Sequence, residues 1–374
     1  MNYKILIFLG LALSACSGKK ARPESVSPEK MQAVYEEVKT PFKYGLILVP
    51  ESDSLKIDCP TIFRENDHWY MTYFIFDGRG YETWLAESAD LLHWNTLGTI
   101  LTFSDSADWD ENQKAGFPGL EDPTWGGSYA LHTYSGKYWM PYFGGSSRGY
   151  EKGLLSAGMA FTDRSPADLH EWERLDKPIF MATDSAARWW ENSTIYKTWV
   201  MEDKDRLTGY PFVMYFNARG DSLNPARGAE RIGMAVSENM TDWIRYRKDP
   251  VINHHKGISG DAVLQKIDDI WVMFYFGAFW PTRTDYKAFN RFACSYDLVH
   301  WTEWEGKDLI APSEPYDDLF AHKSCVLKYD GVVYHFYCAV NQNQDRGIAL
   351  ATSKDLGKSN IHFTKPDVKK DGRP

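Results

Sequence analysis

Apolar and polar positions alternate with a period of two through most of the chain, in short runs broken by Gly, Asp, Asn or Ser. Such alternation puts one apolar face on a pleated strand, and β-branched and aromatic enrichment around Asp-Gly or Ser-Gly turns predicts hairpins. One runs Thr61-Ile62-Phe63-Arg64, turns at Glu65-Asn66-Asp67-His68 and returns as Trp69-Tyr70-Met71-Thr72-Tyr73. The pattern recurs at 194–197 with 212–215, at 263–266 with 271–275, at 326–329 with 332–337 and, with a longer turn, at 123–125 with 138–142. The helical expectation is limited to a short segment near Glu29 to Glu37.

A second pattern follows each hairpin: Ser88-Ala89-Asp90-Leu91 ahead of Trp94, Asp168-Leu169 ahead of Trp172, Ser237-Glu238-Asn239-Met240 ahead of Trp243, and Ser295-Tyr296-Asp297-Leu298 ahead of Trp301. A fifth copy, Ser353-Lys354-Asp355-Leu356, lacks the Trp. The four Trp lie 78, 71 and 58 residues apart, too far for one hairpin and suited to a four-stranded unit with variable loops. Repeats that cannot bury their faces alone must stack. The expected fold is therefore all-β, a five-bladed β-propeller of four-stranded antiparallel blades.

In such a ring the first strand of each blade lines the axis, so residues at the inner-strand starts meet at one mouth. Aligning blades on Arg64, Lys197, Lys266 and Lys328 places Asp58, Glu191, Gly260 and His322 at one position, and matching Pro123-Thr124 to Pro60-Thr61 adds Glu121. The next position reads Cys59, Asp122, Asn192, Asp261 and Lys323. Inner strands are expected to begin near Asp58, Asp122, Glu191, Asp261 and His322. Carboxylates gathered away from water push their pKa values apart, leaving one protonated and one ionised, which is what glycosidic hydrolysis requires. Trp125, Trp189, Trp190, Phe279 and Trp280 are candidates to stack on sugar rings.

Composition narrows the field. With 374 residues, 43% hydrophobic and 15% aromatic, the chain is not disordered. A net charge of -9 with no basic stripe argues against nucleic acid as a partner. At the N-terminus, Lys4 precedes an apolar run over 5–13 and the sequence Leu13-Ser14-Ala15-Cys16, a short targeting segment rather than a membrane span. It resembles a bacterial lipoprotein signal. That implies loss of residues 1–15, a lipid on Cys16, a flexible tether over 16–40 and a catalytic propeller over 41–374. The implied location is a membrane anchor in the periplasm or at the outer-membrane surface. Cys59, Cys294, Cys325 and Cys338 show no metal-knuckle spacing and read as buried thiols, with a Cys59 to Cys325 bridge as the alternative.

The five-fold arrangement, the strand starts Glu121-Asp122-Pro123 and Glu191-Asn192-Ser193-Thr194, the Ser-x-Asp-Leu-x-x-Trp blade ends and His322 resemble the five-bladed glycoside hydrolases of family 43 and their relatives, families 117 and 130. The resemblance implies an inverting, exo-acting enzyme on plant or algal oligosaccharides or polysaccharides, arabinofuranosidase- or xylosidase-like. It makes Asp58 the base, Asp122 the modulator of pKa and Glu191 the acid. Glu121, Trp125, Trp189, Trp190, Asp261, Trp280, His322 and Lys323 become substrate contacts. No H-E-x-x-H or EF-hand motif is present and no cofactor is required by this chemistry, though some relatives hold a Ca²⁺ on the axis near the position of His322. Two other readings stay open. One is phosphorolysis or cleavage of anhydro-galactose linkages, the former needing cations such as His322, Lys323, Arg188 or Arg231 around phosphate. The other is a non-catalytic sugar-binding lipoprotein.

Overall fold

The alternating runs form strands that follow one another in chain order, and the computed structural model describes residues 23–52, 54–220, 229–279 and 286–363. It is nearly all β. One helix, α1 (Pro28–Val38), precedes β1 (Phe42–Leu48). The first sheet is β2 (Lys56–Glu65), β3 (His68–Phe76), β4 (Tyr81–Ser88) and β5 (Asn95–Leu101). The second is β6 (Gln113–Gly116), β7 (Tyr138–Gly145), β8 (Ser156–Thr162) and β9 (Glu173–Arg174). Two further antiparallel groups are β10 (Thr194–Glu202), β11 (Phe212–Arg219), β12 (Glu230–Ser237) and β13 (Trp243–Arg245), then β14 (Ile258–Ile267), β15 (Ile270–Ala278), β16 (Phe289–Ser295) and β17 (Thr302–Glu303). One parallel pair, Glu230 with Ile258, joins them edge to edge. The last sheet is β18 (Phe320–Tyr329), β19 (Val332–Val340) and β20 (Arg346–Thr352), and β1 completes it by pairing Phe42 with Thr352. The two ends of the chain thus close one sheet.

The core lies between neighbouring groups. Trp199, Tyr215 and Met234 from the third meet Val263, Trp271 and Met273 from the fourth, and Ile62, Trp69 and Met71 from the first meet Leu327, Phe336 and Leu350 from the last. Each group has apolar residues on both faces and is stable only against its neighbours.

The recurring Ser-x-Asp-Leu-x-x-Trp segment is the turn between third and fourth strands. Ser88 Oγ accepts from the Asp90 and Leu91 amides, Asp90 Oδ1 accepts from the Leu92 and His93 amides, and Trp94 Nε1 donates to the Leu91 carbonyl at 3.1 Å. Leu91 is left-handed at φ 67 and fully buried, as are Met240 at φ 67 and Leu298 at φ 68. A non-glycine residue in that region costs roughly 1–3 kcal/mol, which the side-chain-to-backbone bonds and burial of the apolar side chain offset.

Helix α1 starts at Ser27, whose Oγ accepts from the Lys30 amide, with Pro28 in the first turn. Met31, Val34 and Val38 share one face and pack on Ile270, Phe274, Phe292 and Val326. Glu37 then accepts from Trp125 Nε1 at 2.7 Å and Lys328 Nζ at 2.5 Å.

Two expectations are corrected. The first strand of the second sheet is Gln113–Gly116, not a strand beginning near Asp122. Its four residues are all buried but lack both alternation and branched side chains, so no strand pattern marks them. Cys59 and Cys325 are both free thiols, which excludes the bridge between them.

Met31→Ala should cost about 2–5 kcal/mol in urea unfolding, the range for truncating a buried Met, because its side chain is 3% exposed within the contact between helix and sheets.

Candidate active site

The site is built by a defect repeated in four first strands. The ladder registers slip between Asp58 and Thr61, Ile195 and Thr198, Gly260 and Val263, and His322 and Cys325. In each case two residues oppose one on the next strand, a β-bulge that re-aims side chains. Cys59, Asp261 and Lys323 are left-handed there, at φ 53, 59 and 59. The bulge residues Cys59, Tyr196, Lys197, Asp261 and Lys323 all line one cavity of about 210 Å³.

A meander adds a second set. First and third strands run in the same direction, so third-strand starts reach the mouth where first strands begin. Tyr81, Glu230, Ala288 and Arg346, at or beside the starts of β4, β12, β16 and β20, line the same cavity, and Tyr150 and Glu151 enter from the turn before β8.

Behind this wall lies Asp58, 1% exposed. Its Oδ2 accepts from Lys323 Nζ at 2.6 Å and Arg346 Nη1 at 2.9 Å, and its Oδ1 accepts from the Cys59 amide. Burial pushes the carboxyl up, but the Lys323 and Arg346 charges outweigh burial and hold it well below the usual range. Arg346 Nη1 also donates to Tyr150 Oη at 3.0 Å. Burial, helped by the Lys323 charge, depresses His322 to about 3, so its ring is neutral near pH 7, with Nδ1 3.1 Å from the Cys338 carbonyl.

Of the three carboxyl groups that line the cavity, Glu151, Glu230 and Asp261, the two glutamates lie in unlike surroundings. Glu230 is lifted to about 8 by burial and by the Glu151 charge, against the pull of Arg219 and an Asn217 Nδ2 hydrogen bond at 3.1 Å. Glu151 is raised by burial, with Lys323 and Arg346 opposing, and accepts from Tyr81 Oη at 3.4 Å. Both carboxyl groups are thus raised, and Glu230, at about 8, holds its proton near neutral pH.

Of the residues expected from sequence, Asp261, His322 and Lys323 line this cavity and Asp58 supports it. Asp122 and Glu121 do not. They line a separate cavity of about 110 Å³ with Glu202 and Lys266, which end or nearly end β10 and β14, so they sit at the opposite end of the first strands. There Asp122 is a turn residue: burial is outweighed by bonds from Ser128 and Thr124, which hold it at about 2. Burial and then the Asp122 charge push Glu121 well up.

Glu191 is fully buried outside the cavity and paired with Arg245 Nε at 3.0 Å and Arg188 Nη1 at 3.2 Å. The alignment fails in this sheet because Lys197 is the bulge residue, not the equivalent of Arg64, which lies beyond the bulge on β2. Trp190 stacks on Phe216 at 5.9 Å in the core, and Trp125 lies by α1. Trp189 is 42% exposed under the Arg231 guanidinium, away from the cavity lining. Phe279 packs on His254 with ring centroids 4.1 Å apart. Trp280 and Cys16 lie outside the described residues. Arg188 and Arg231 are not in the cavity lining, where the basic residues are Lys197, His322, Lys323 and Arg346.

Glu151, Glu230, Tyr150 and Arg346 lie outside the first strands and so escape an alignment of them, while Lys197 lies on a first strand but imitates Arg64. The usable signal was topological: acids or cations just before a third strand, as in Glu230-Arg231 before Ile232, share the mouth of the first strands.

Asp58, His322 and Cys338 bring a carboxylate, an imidazole and a thiol within 4.8 Å of one another. They do not suit the calcium expected near His322. That ion takes roughly 6–8 oxygen ligands, whereas this set includes nitrogen and sulfur, and two cations already occupy the Asp58 carboxylate.

Asp58→Ala should destabilise the fold by about 3–5 kcal/mol near pH 7, since it strands two buried cations. Because the folded carboxyl is held low, its contribution is complete above the ordinary carboxylate range and is lost as pH falls through the folded value. The gap between wild type and variant in urea titrations should accordingly close in acid. Glu191→Gln should lower stability by about 3–5 kcal/mol while kcat/KM per folded molecule stays unchanged.

No protein-family model and no curated protein matches the chain. A solved structure of a BT0996 complex with RGII superposes with a TM-score of 0.88 and 53% identity, covering 92% of this chain and 100% of that one. Another, described as a glycoside hydrolase, does so with a TM-score of 0.88, 52% identity and the same coverage of 92% and 100%. A thermostable family-43 glycoside hydrolase shares the fold at a TM-score of 0.56 and 15% identity, over 83% of this chain and 95% of that one. Identity above one half, sustained across nine-tenths of the chain, has one consequence: the chain belongs to the glycoside hydrolases and is an enzyme that cleaves glycosidic bonds.

Proposed function

We propose that Glu230 and Glu151 are the catalytic pair, with Glu230 the acid that protonates the departing glycosidic oxygen and Glu151 the carboxylate that activates water. The observation that carries this is their shared cavity with unlike charged neighbours: burial and the Glu151 charge keep the proton on Glu230, while at Glu151 the Lys323 and Arg346 charges oppose the effect of burial. The pair replaces the assignment of Asp122 and Glu191, and Asp58 becomes the residue that positions Lys323 and Arg346.

The five antiparallel groups are read as five blades about an axis lined by β2, β6, β10, β14 and β18. The proposed outcome is inversion, as the family-43 resemblance implies. A cavity of about 210 Å³ is smaller than the roughly 300–1,000 Å³ of sites for drug-sized ligands. It suits a single terminal sugar, which supports exo action, and arabinofuranosidase- or xylosidase-like cleavage is the proposed specificity. The substrate proposed is an RGII-type polysaccharide or its fragments, supported by the RGII complex of the 53% identical structure. A lipid on Cys16 that anchors the enzyme in the periplasm or at the outer-membrane surface belongs to the same reading.

Glu230→Gln should lower kcat on RGII-derived oligosaccharides by roughly 10²–10⁴, with much smaller loss on an aryl glycoside whose leaving group needs no proton. The wild-type profile of kcat/KM should fall as pH rises past about 8, and that limb should vanish in the variant. Proton NMR of the first product anomer tests inversion. Wild-type activity in both Glu230→Gln and Glu151→Gln would overturn the pair.

A further inference from the structure

The bulge in β10 places Lys197 on the wall of the active-site cavity. The residue is 3% exposed, and its ammonium has no hydrogen-bond partner among the described residues. Its neighbour is the Phe117 ring, whose centroid lies 4.5 Å from Nζ. An ammonium carries three donors and no acceptor, and burying it without an acceptor is costly. The chain solves this problem elsewhere. Lys114, also buried, donates to the Thr102 carbonyl at 2.7 Å and Ser104 Oγ at 2.9 Å, and Lys323 and Arg346 are held by Asp58.

Beyond Lys197, the equivalent bulge of β14 presents Asp261, which is 4% exposed. Its hydrogen bond among the described residues comes from Cys59 Sγ at 3.5 Å, a weak donor. Lys197 and Asp261 line the same cavity, together with Cys59. A group that only donates beside a group that accepts is the complement of a sugar hydroxyl, which does both.

We propose that Lys197 and Asp261 form a hydroxyl-reading pair that positions the terminal sugar, Lys197 donating to the hydroxyl oxygen and Asp261 accepting its proton. The pair rests on the active-site cavity proposed above but not on which carboxyl is the acid. In the free protein Lys197 is a destabilising group retained for binding, a trade in which function is held at the expense of stability.

That trade separates this role from a structural one. Lys197→Met should raise the melting temperature of the unliganded protein and lower kcat/KM on RGII-derived oligosaccharides by about 10- to 100-fold, mostly through KM. Asp261→Asn should also raise KM. Among monodeoxy analogues of the released sugar used as competitors, one should bind wild type more weakly than its parent, and that difference should disappear in Lys197→Met. If no glycan is cleaved, sugar-induced thermal stabilisation of wild type that Lys197→Met abolishes still supports the pair while the catalytic assignment falls. A lower melting temperature with unchanged kcat/KM, or no sugar-induced stabilisation of wild type, overturns it.

Discussion

A buried carboxylate with two cations drawn from the far end of the chain organises this molecule. Asp58 is reached by Lys323, 265 residues later, and by Arg346, 288 residues later. Unpaired, any of the three would be expensive to bury, so the pairing ties β2 to β18 and β20 and holds the first sheet against the last. It also fixes two positive charges in the cavity wall, where they act on Glu151. The closure of the fold and the unequal environments of the two carboxyl groups depend on one ion triad.

The bulges translate that closure into a site. A regular strand would alternate its side chains between two apolar faces, leaving little to point along the axis. An extra residue at the same register in four first strands turns Cys59, Tyr196, Asp261 and Lys323 toward the cavity instead, with Lys197 beside Tyr196. Left-handed backbone at three of these positions costs roughly 1–3 kcal/mol each. Regular pairing on either side, Ile57 with Ile75 and Thr61 with Thr72 for example, holds the strain in place.

The two ends of the first strands have separate tasks. One carries the cavity proposed as the active site. At the other, Asp122 shapes a turn, the segment around Thr124 pairs beside Lys266, and Glu37 at the end of α1 binds Trp125 and Lys328. Acidic residues occur at both ends: backbone amides and hydroxyls hold Asp122 low, while burial raises Glu121 beside it and Glu230 in the cavity.

The sequence by itself determined the all-β architecture, the hairpins and the repeated turn, because period-two patterning and Ser-x-Asp-Leu turn chemistry are local and survive in each copy. It also brought Asp58, Asp261, His322 and Lys323 to one end of the first strands, since in those sheets the distance from bulge to hairpin is preserved. It could not place Glu191 or Asp122, because Lys197 imitates the basic residue beyond the bulge and β6 carries no strand pattern. Glu151, Glu230 and Arg346 come from a turn and from third strands, and their meeting is set by the direction in which a meander returns. Whether a carboxyl is a turn cap, an ion-pair partner or an acid depends on which groups from distant strands surround it, and only the tertiary structure decided that.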